Sequence, residues 1–242
     1  MSSQTSLFGA ALLGVALMNS ASAQEAELRQ SFARRLPDFP KIDEVRKTAI
    51  PGLFEIRIGS EIVYSDASGE HLVQGSIVET KSRTNLTQQR VEELTRIDFN
   101  ALPLKDAIVW KQGTGARKLV VFADPNCGYC KKFESEMLQV KDVTVYTFLY
   151  PILGGDSASR SRDIWCAKDT SKAWRSWMLQ GTAAPKATQS CDSSVLERNI
   201  VLGRKHRLAA TPLIVFADGT RRPGAMALID LERRLRAVRP RG

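Results

Sequence analysis

Asp124-Pro125-Asn126-Cys127-Gly128-Tyr129-Cys130 holds two cysteines with two residues between them. At that spacing the sulfurs can close a small, strained disulfide or stand open as a dithiol. The tract lies between an apolar run, Leu119-Val120-Val121-Phe122-Ala123, and a segment of helical spacing from Cys127 to Leu138. That segment puts Cys130, Phe133 and Met137 on one face and Lys131, Lys132, Glu134 and Glu136 outside. Cys127 therefore falls at a helix N-terminus, where unpaired N–H groups and the macrodipole favour an anion. The thiolate is the species that attacks a disulfide sulfur and forms a mixed disulfide. Cys130, one turn in and on the inner face, is shielded but close enough to resolve that intermediate. A zinc site would need two further ligands at suitable spacing. The other cysteines, Cys166 and Cys191, are single, and His71 and His206 lie far apart in sequence, so no metal is expected. An inert structural bond is the remaining alternative, and placement at a helix start argues for a reactive one.

The elements that must position this pair follow an α/β pattern from about Leu104 onward. The run Leu119–Ala123 reads as a strand covered on both faces, and Val143–Leu149 is the next strand. Ser159–Leu179 is helical and tryptophan-rich, and Leu213–Ala217 is a further strand. Asp218-Gly219 turns the chain, and Ala227–Val238 makes a final helix. Ile164, Trp165, Ala173, Trp174, Trp177 and Met178 around Cys166 read as core rather than as a ligand-stacking platform.

Upstream, residues 24–85 read as short and alternating. Ile50-Pro51-Gly52 turns into a strand over Leu53–Ile58, Glu61–Tyr64 is another, and His71–Val78 a third after the turn Asp66–Gly69. A helix carrying Leu28, Phe32 and Leu36 leads in and is ended by Pro37. This α+β unit of about 60 residues is short of core for independent stability, so a partner subunit is the expected source of the missing burial. Residues 86–103 form a linker. Within it, Thr87–Phe99 reads as one exposed helix whose stripe of Val91, Leu94 and Ile97 is too thin for the middle of a core. Residues 104–242 form the second domain.

The 242 residues are 43% hydrophobic and 25% charged, with a formal net charge of +9. Such values exclude a disordered tail, a collagen-like fibre and a polytopic membrane protein. Residues 1–23 carry no charged side chain, and Leu7–Met18 has the length of a signal-peptide core. Ala21-Ser22-Ala23 offers small residues for cleavage before Gln24, although no Lys or Arg precedes the apolar run. That run is short of the ~20 residues of a membrane span, so export without stable membrane insertion is expected. Export means an oxidising compartment in which cysteines can pair. The basic excess is densest in Arg204-Lys205-His206-Arg207, Arg221-Arg222, and the tail residues Arg233, Arg234, Arg236, Arg239 and Arg241. In the tail, arginines alternate with Leu231, Leu235 and Val238 at helical spacing. This indicates a solvated helix face, not a nucleic-acid partner.

Phe122–Cys130, followed far downstream by Ala210-Thr211-Pro212-Leu213-Ile214-Val215-Phe216, resembles the thioredoxin superfamily. Gly128-Tyr129 between the cysteines resembles the DsbC disulfide isomerases of the bacterial periplasm, whose DsbG sisters carry Pro-Tyr there. Ile50-Pro51-Gly52-Leu53-Phe54-Glu55 and Ser68-Gly69-Glu70-His71-Leu72-Val73-Gln74-Gly75 are similar to the DsbC dimerisation domain. The resemblance implies a thioredoxin-like fold with a helical insertion, preceded by a small α+β, cystatin-like dimerisation domain and a linker helix. It implies a V-shaped homodimer joined through residues 24–85, with two catalytic domains facing an apolar cleft. Thr211-Pro212 is then the cis-proline loop, which with Gly128 and Tyr129 holds a substrate segment beside the reactive sulfur. Cys166–Cys191 is then the non-catalytic disulfide, worth about 3 kcal/mol by loop-closure entropy; a second catalytic pair is the alternative.

The activity implied is that of a periplasmic isomerase with chaperone activity. Reduced Cys127 attacks a wrong disulfide in a misfolded secreted protein. The freed substrate cysteine then attacks elsewhere, or Cys130 resolves the mixed disulfide. No metal or organic cofactor is needed, only a membrane thiol reductase of the DsbD type as electron donor. Two alternatives stay open: a DsbG-like holdase or sulfenic-acid reductase, and a DsbA-like net oxidant, against which the N-terminal pairing domain argues.

Overall fold

The computed structural model describes residues 12–238. Residues 1–11 of the expected leader lie outside the described residues, as do Arg239 and Arg241 of the basic tail. The chain divides into two compact units, Met1–Leu94 and Thr95–Gly242. No helix among the described residues is long and apolar enough to cross a membrane.

In the first unit, helix α1 (Leu12–Arg35) precedes the antiparallel strands β1 (Glu44–Lys47), β2 (Leu53–Ile58), β3 (Glu61–Asp66) and β4 (Leu72–Val73). The sheet order is β1-β2-β3-β4, with Phe54 opposite Ser65 and Ile56 opposite Val63. Leu28 and Phe32, four apart on one helix face, pack with Ile42, Phe54, Ile56 and Val63 into a small core. Leu36 departs from expectation: the helix ends at Arg35, before Pro37, so Leu36 leaves the buried stripe and is exposed. The single strand expected over His71–Val78 is also corrected. Only Leu72–Val73 pairs with β3, and Val78–Glu79 (β5) forms a separate hairpin with Thr84–Asn85 (β6).

Helix α2 (Leu86–Leu94) ends five residues earlier than the spacing suggested. Polar links hold it to the sheet: Thr87 bonds the Tyr64 hydroxyl, and Arg90 reaches Glu44 at 2.8 Å and Glu55 at 3.2 Å. Ile97 is not part of its stripe. It is buried in the second unit, where its N–H donates to the Gly219 carbonyl at 2.9 Å. A Cβ on Gly219 (φ +83°) would lie 2.7 Å from the Ile97 carbonyl oxygen, so this approach requires glycine.

The second unit is built on a five-stranded sheet of order β11-β10-β8-β9-β7. Its strands are β7 (Ile108–Gln112), β8 (Arg117–Ala123), β9 (Val143–Leu149), β10 (Leu213–Phe216) and β11 (Arg221–Pro223). β8 and β9 are parallel, joined through helix α3 (Gly128–Met137), and the other pairs are antiparallel. Alternation along β8 sends Leu119, Val121 and Ala123 to one core and Val120 and Phe122 to the other. Burial on both faces explains the unbroken apolar run Leu119–Ala123. Between β9 and β10 lie α4 (Ser157–Trp165), α5 (Thr170–Gln180) and α6 (Ser194–Lys205), and α7 (Leu228–Ala237) closes the chain. The single helix expected over Ser159–Leu179 is thus two. Asp169 breaks it by capping α5, its side chain accepting the Lys172 N–H at 2.9 Å.

Candidate functional site

β8 delivers the chain to Asp124, whose carboxylate is fully buried. One of its oxygens accepts the Asn126 N–H and the Ser157 hydroxyl, each at 2.8 Å. The other accepts the Ile152 and Leu153 N–H groups at 2.8 and 3.0 Å. Four donors replace the water this charge has lost, and they tie the turn after β8 to the loop after β9. The Asp124 carbonyl then accepts the Cys127 N–H at 3.1 Å, which sets Cys127 at the N-cap of α3.

At that cap Cys127 has extended backbone (φ −79°, ψ 115°) and its sulfur accepts the Cys130 N–H at 3.3 Å. Both cysteines are free thiols, with 5% of Cys127 and 1% of Cys130 exposed. Burial, reinforced by the Cys127 sulfur bonded beside it, pushes the Cys130 thiol well above its usual range. Cys130 therefore holds its proton at neutral pH, while Cys127 faces an N–H donor at the positive end of a helix dipole.

The Thr211–Pro212 bond is cis. The Cys127 thiol donates to the Thr211 carbonyl at 3.3 Å, so this loop and the dithiol meet although 84 residues separate them. Gly128 and Tyr129 lie on the outer side of the helix start, and Tyr129 is 69% exposed. A Cβ on Gly128 would meet nothing within 4 Å. Cys166, the C-cap of α4, is joined to Cys191, ahead of α6, by a disulfide with a Cα–Cα distance of 6.0 Å. The structure thus brings Cys127, Cys130, Thr211 and Pro212 together and pairs Cys166 with Cys191.

Two family models match the chain: a disulfide bond isomerase protein N-terminal domain over residues 19–88 and a thioredoxin-like domain over residues 104–239. A curated relative, the probable thiol:disulfide interchange protein DsbC of Bordetella parapertussis, is 40% identical over 212 residues. That alignment spans 88% of this chain and 74% of the relative. The chain belongs to the DsbC family. The DsbC of Escherichia coli K12 is 29% identical over 210 residues, 84% of each chain. Among solved structures, a disulfide interchange protein from Neisseria gonorrhoeae is 34% identical with a TM-score of 0.54. It matches 58% of this chain and 100% of its own. Membership makes this chain a thiol:disulfide interchange enzyme of the DsbC type, with a thioredoxin-like unit behind a DsbC N-terminal unit.

Several residues around the DsbC-type dithiol escape a reading of the sequence. Asp124 sits inside the motif, but its partners Ile152, Leu153 and Ser157 are 28 to 33 residues away. Glu134 shows the four-residue helical spacing from Cys130 that could have flagged it, yet it looks like an outward charge. It is instead buried, accepting the Trp174 indole N–H at 2.6 Å. Trp177, assigned to core, donates its indole N–H to the Pro125 carbonyl at 2.6 Å.

Proposed function

We propose that the protein is a periplasmic disulfide isomerase in which Cys127 is the attacking thiolate and Cys130 the resolving thiol. The observation that carries this reading is the asymmetry between the two sulfurs: Cys127 accepts an N–H at the cap of α3, and Cys130 is buried with its thiol pushed upward. Attack by the Cys127 thiolate on a substrate disulfide forms the Cys127–substrate bond and releases a substrate thiolate. That thiolate can attack another disulfide of the same client, and Cys127 leaves reduced with no net electron transfer. Otherwise Cys130 displaces the substrate. The client then gains two electrons, and Cys127–Cys130 becomes a disulfide that a membrane thiol reductase must reopen.

Clients in this reading are misfolded secreted proteins. Thr211, with its carbonyl at the Cys127 sulfur, borders the position a substrate segment would take. Exposed Tyr129, Ile152 and Leu153 supply apolar surface for it, the last two anchored to the CxxC turn through Asp124. The N-terminal unit supports a homodimer: its core is small, and β4 is an edge strand with exposed Leu72 and Val73. Unpaired edges and exposed apolar residues are a template for pairing with a second chain.

Refolding of scrambled ribonuclease tests the reading. The native protein should restore activity, and Cys127→Ser should abolish it while still suppressing aggregation of an unfolded client. Undiminished isomerase activity in Cys127→Ser would overturn the assignment.

A further inference from the structure

We propose that Trp177, Arg160, Asp156 and Asn126 form a closed clamp on the Pro125-Asn126 turn that positions the Cys127 sulfur for attack. The proposal rests on the reading of Cys127 as the attacking thiolate and assigns part of the helical insertion a role in the reaction.

Pro125 and Asn126 are the only residues between the Asp124 anchor and Cys127. Pro125 is buried, and its carbonyl accepts the Trp177 indole N–H at 2.6 Å from α5. Asn126 is held from α4: its side-chain amide donates to Asp156 at 2.6 Å and to the Ser157 hydroxyl at 3.0 Å. Arg160 joins the two sides. Its guanidinium pairs with Asp156 one helical turn away and lies 3.6 Å from the Trp177 ring centroid. Starting at the Pro125 carbonyl, the contacts run through Trp177, Arg160 and Asp156 to Asn126, and the peptide bond back to Pro125 closes the circuit.

A further strand of the clamp comes from α3 itself. The Lys131 ammonium lies 4.7 Å from the Trp177 centroid, and the Lys131 N–H donates to the Cys127 carbonyl at 3.1 Å. Asn126 bonding and the Arg160 charge hold the Asp156 carboxyl below its usual range, so the Asp156–Arg160 link stays charged at neutral pH.

The Cys127 sulfur has little else to fix it. Of its two hydrogen bonds, each 3.3 Å long, the one to the Thr211 carbonyl needs the thiol proton, so the ionised sulfur keeps only the one from the Cys130 N–H, and that bond weakens when its donor turns away. Locking the two preceding residues removes the rotations that would turn the sulfur away from that N–H. A reactive group held by locked neighbours keeps its geometry without cost at the moment of attack.

Two variants open the circuit at different points. Trp177→Phe removes the indole N–H but keeps an aromatic ring under the cations. Arg160→Met removes the link between α4 and α5 while keeping an unbranched side chain of similar length against the Trp177 ring. Two quantities are read: the rate of Cys127 alkylation by iodoacetamide at pH 7 and the equilibrium constant for oxidation by glutathione disulfide. Each variant should slow alkylation about fivefold, the size of one net hydrogen bond. Each should also shift the equilibrium about fivefold toward the disulfide, because the reduced form loses stabilisation. The double variant should change no further than either single one, since one break already opens the circuit.

Rates and equilibria within twofold of the native protein would overturn the clamp, even with a lowered Tm, and so would effects that multiply in the double variant. Peptide mapping of the native protein separates this from the underlying reading. First labelling at Cys130 would overturn the role of Cys127 itself. First labelling at Cys127 with unchanged variants would overturn the clamp alone.

Discussion

Glu134 is a charge that the fold has taken out of water. One oxygen accepts the Trp174 indole N–H at 2.6 Å, and the other is buried with no hydrogen-bond partner. Burial raises its pKa from the ordinary 4.5 to about 7, against the pull of the Trp174 bond and the Arg175 charge. The folded protein therefore binds this proton more tightly than the unfolded chain does. Stability contributed by the neutral carboxyl is complete below about pH 4.5, declines as pH rises, and is gone above about pH 7. At about 1.4 kcal/mol per pH unit, the loss is on the order of 3 kcal/mol. Glu134→Gln keeps an acceptor for Trp174 and removes the titration. Urea unfolding at pH 4.5, 6 and 8 should show equal stability at the lowest pH and a more stable variant at the highest. Parallel pH profiles would contradict this. Residues of this kind define what a sequence reading reaches. Cys127 and Cys130 were legible because their chemistry depends on local spacing and a helix start. Glu134 and Asp124 were not, because burial is decided by partners 28 to 40 residues away.

At the scale of elements, legibility followed burial on two faces. β8 and β10 carry apolar runs because both faces of the sheet are buried, one against each core, and they stand out in the sequence. β7 lies at the sheet edge with Val109 exposed and Lys111 pointing to solvent, so no apolar run marks it in the sequence. α6 escaped because two of its buried positions are not large apolar residues. Asn199 is buried to donate to the Asp106 and Leu149 carbonyls, and Gly203 is there because a Cβ would strike the Tyr150 ring at 2.3 Å. The break between α4 and α5 leaves Cys166 at a helix end, where it can reach Cys191 ahead of α6. This cross-link constrains the unfolded chain, so replacing both cysteines by serine should cost about 3 kcal/mol. The same substitution should leave Cys127 alkylation unchanged. Denaturant unfolding checks the first expectation and alkylation kinetics the second; a changed alkylation rate would make the pair part of the redox site.

At the scale of the whole molecule, two units with separate cores share one chain, and each was recognisable by its own motifs. What the sequence did not show was which apolar residues of the N-terminal unit remain uncovered. Val73, 47% exposed on edge strand β4, and Leu72 beside it are such residues. If a second copy covers them, Val73→Asp places a charge in an apolar contact. Analytical ultracentrifugation should then find the native protein dimeric and the variant largely monomeric, with a lower and concentration-independent thermal unfolding of the variant's N-terminal unit. A native monomer would remove the dimer from the account. The central claim, that Cys127 attacks and Cys130 resolves, is tested most directly by stopping the reaction halfway. Cys130→Ser mixed with scrambled ribonuclease should accumulate a covalent complex that reducing agent dissolves. Mass spectrometry should place its bond at Cys127. A complex linked through Cys166 or Cys191, or none at all while the native protein is active, would contradict the mechanism.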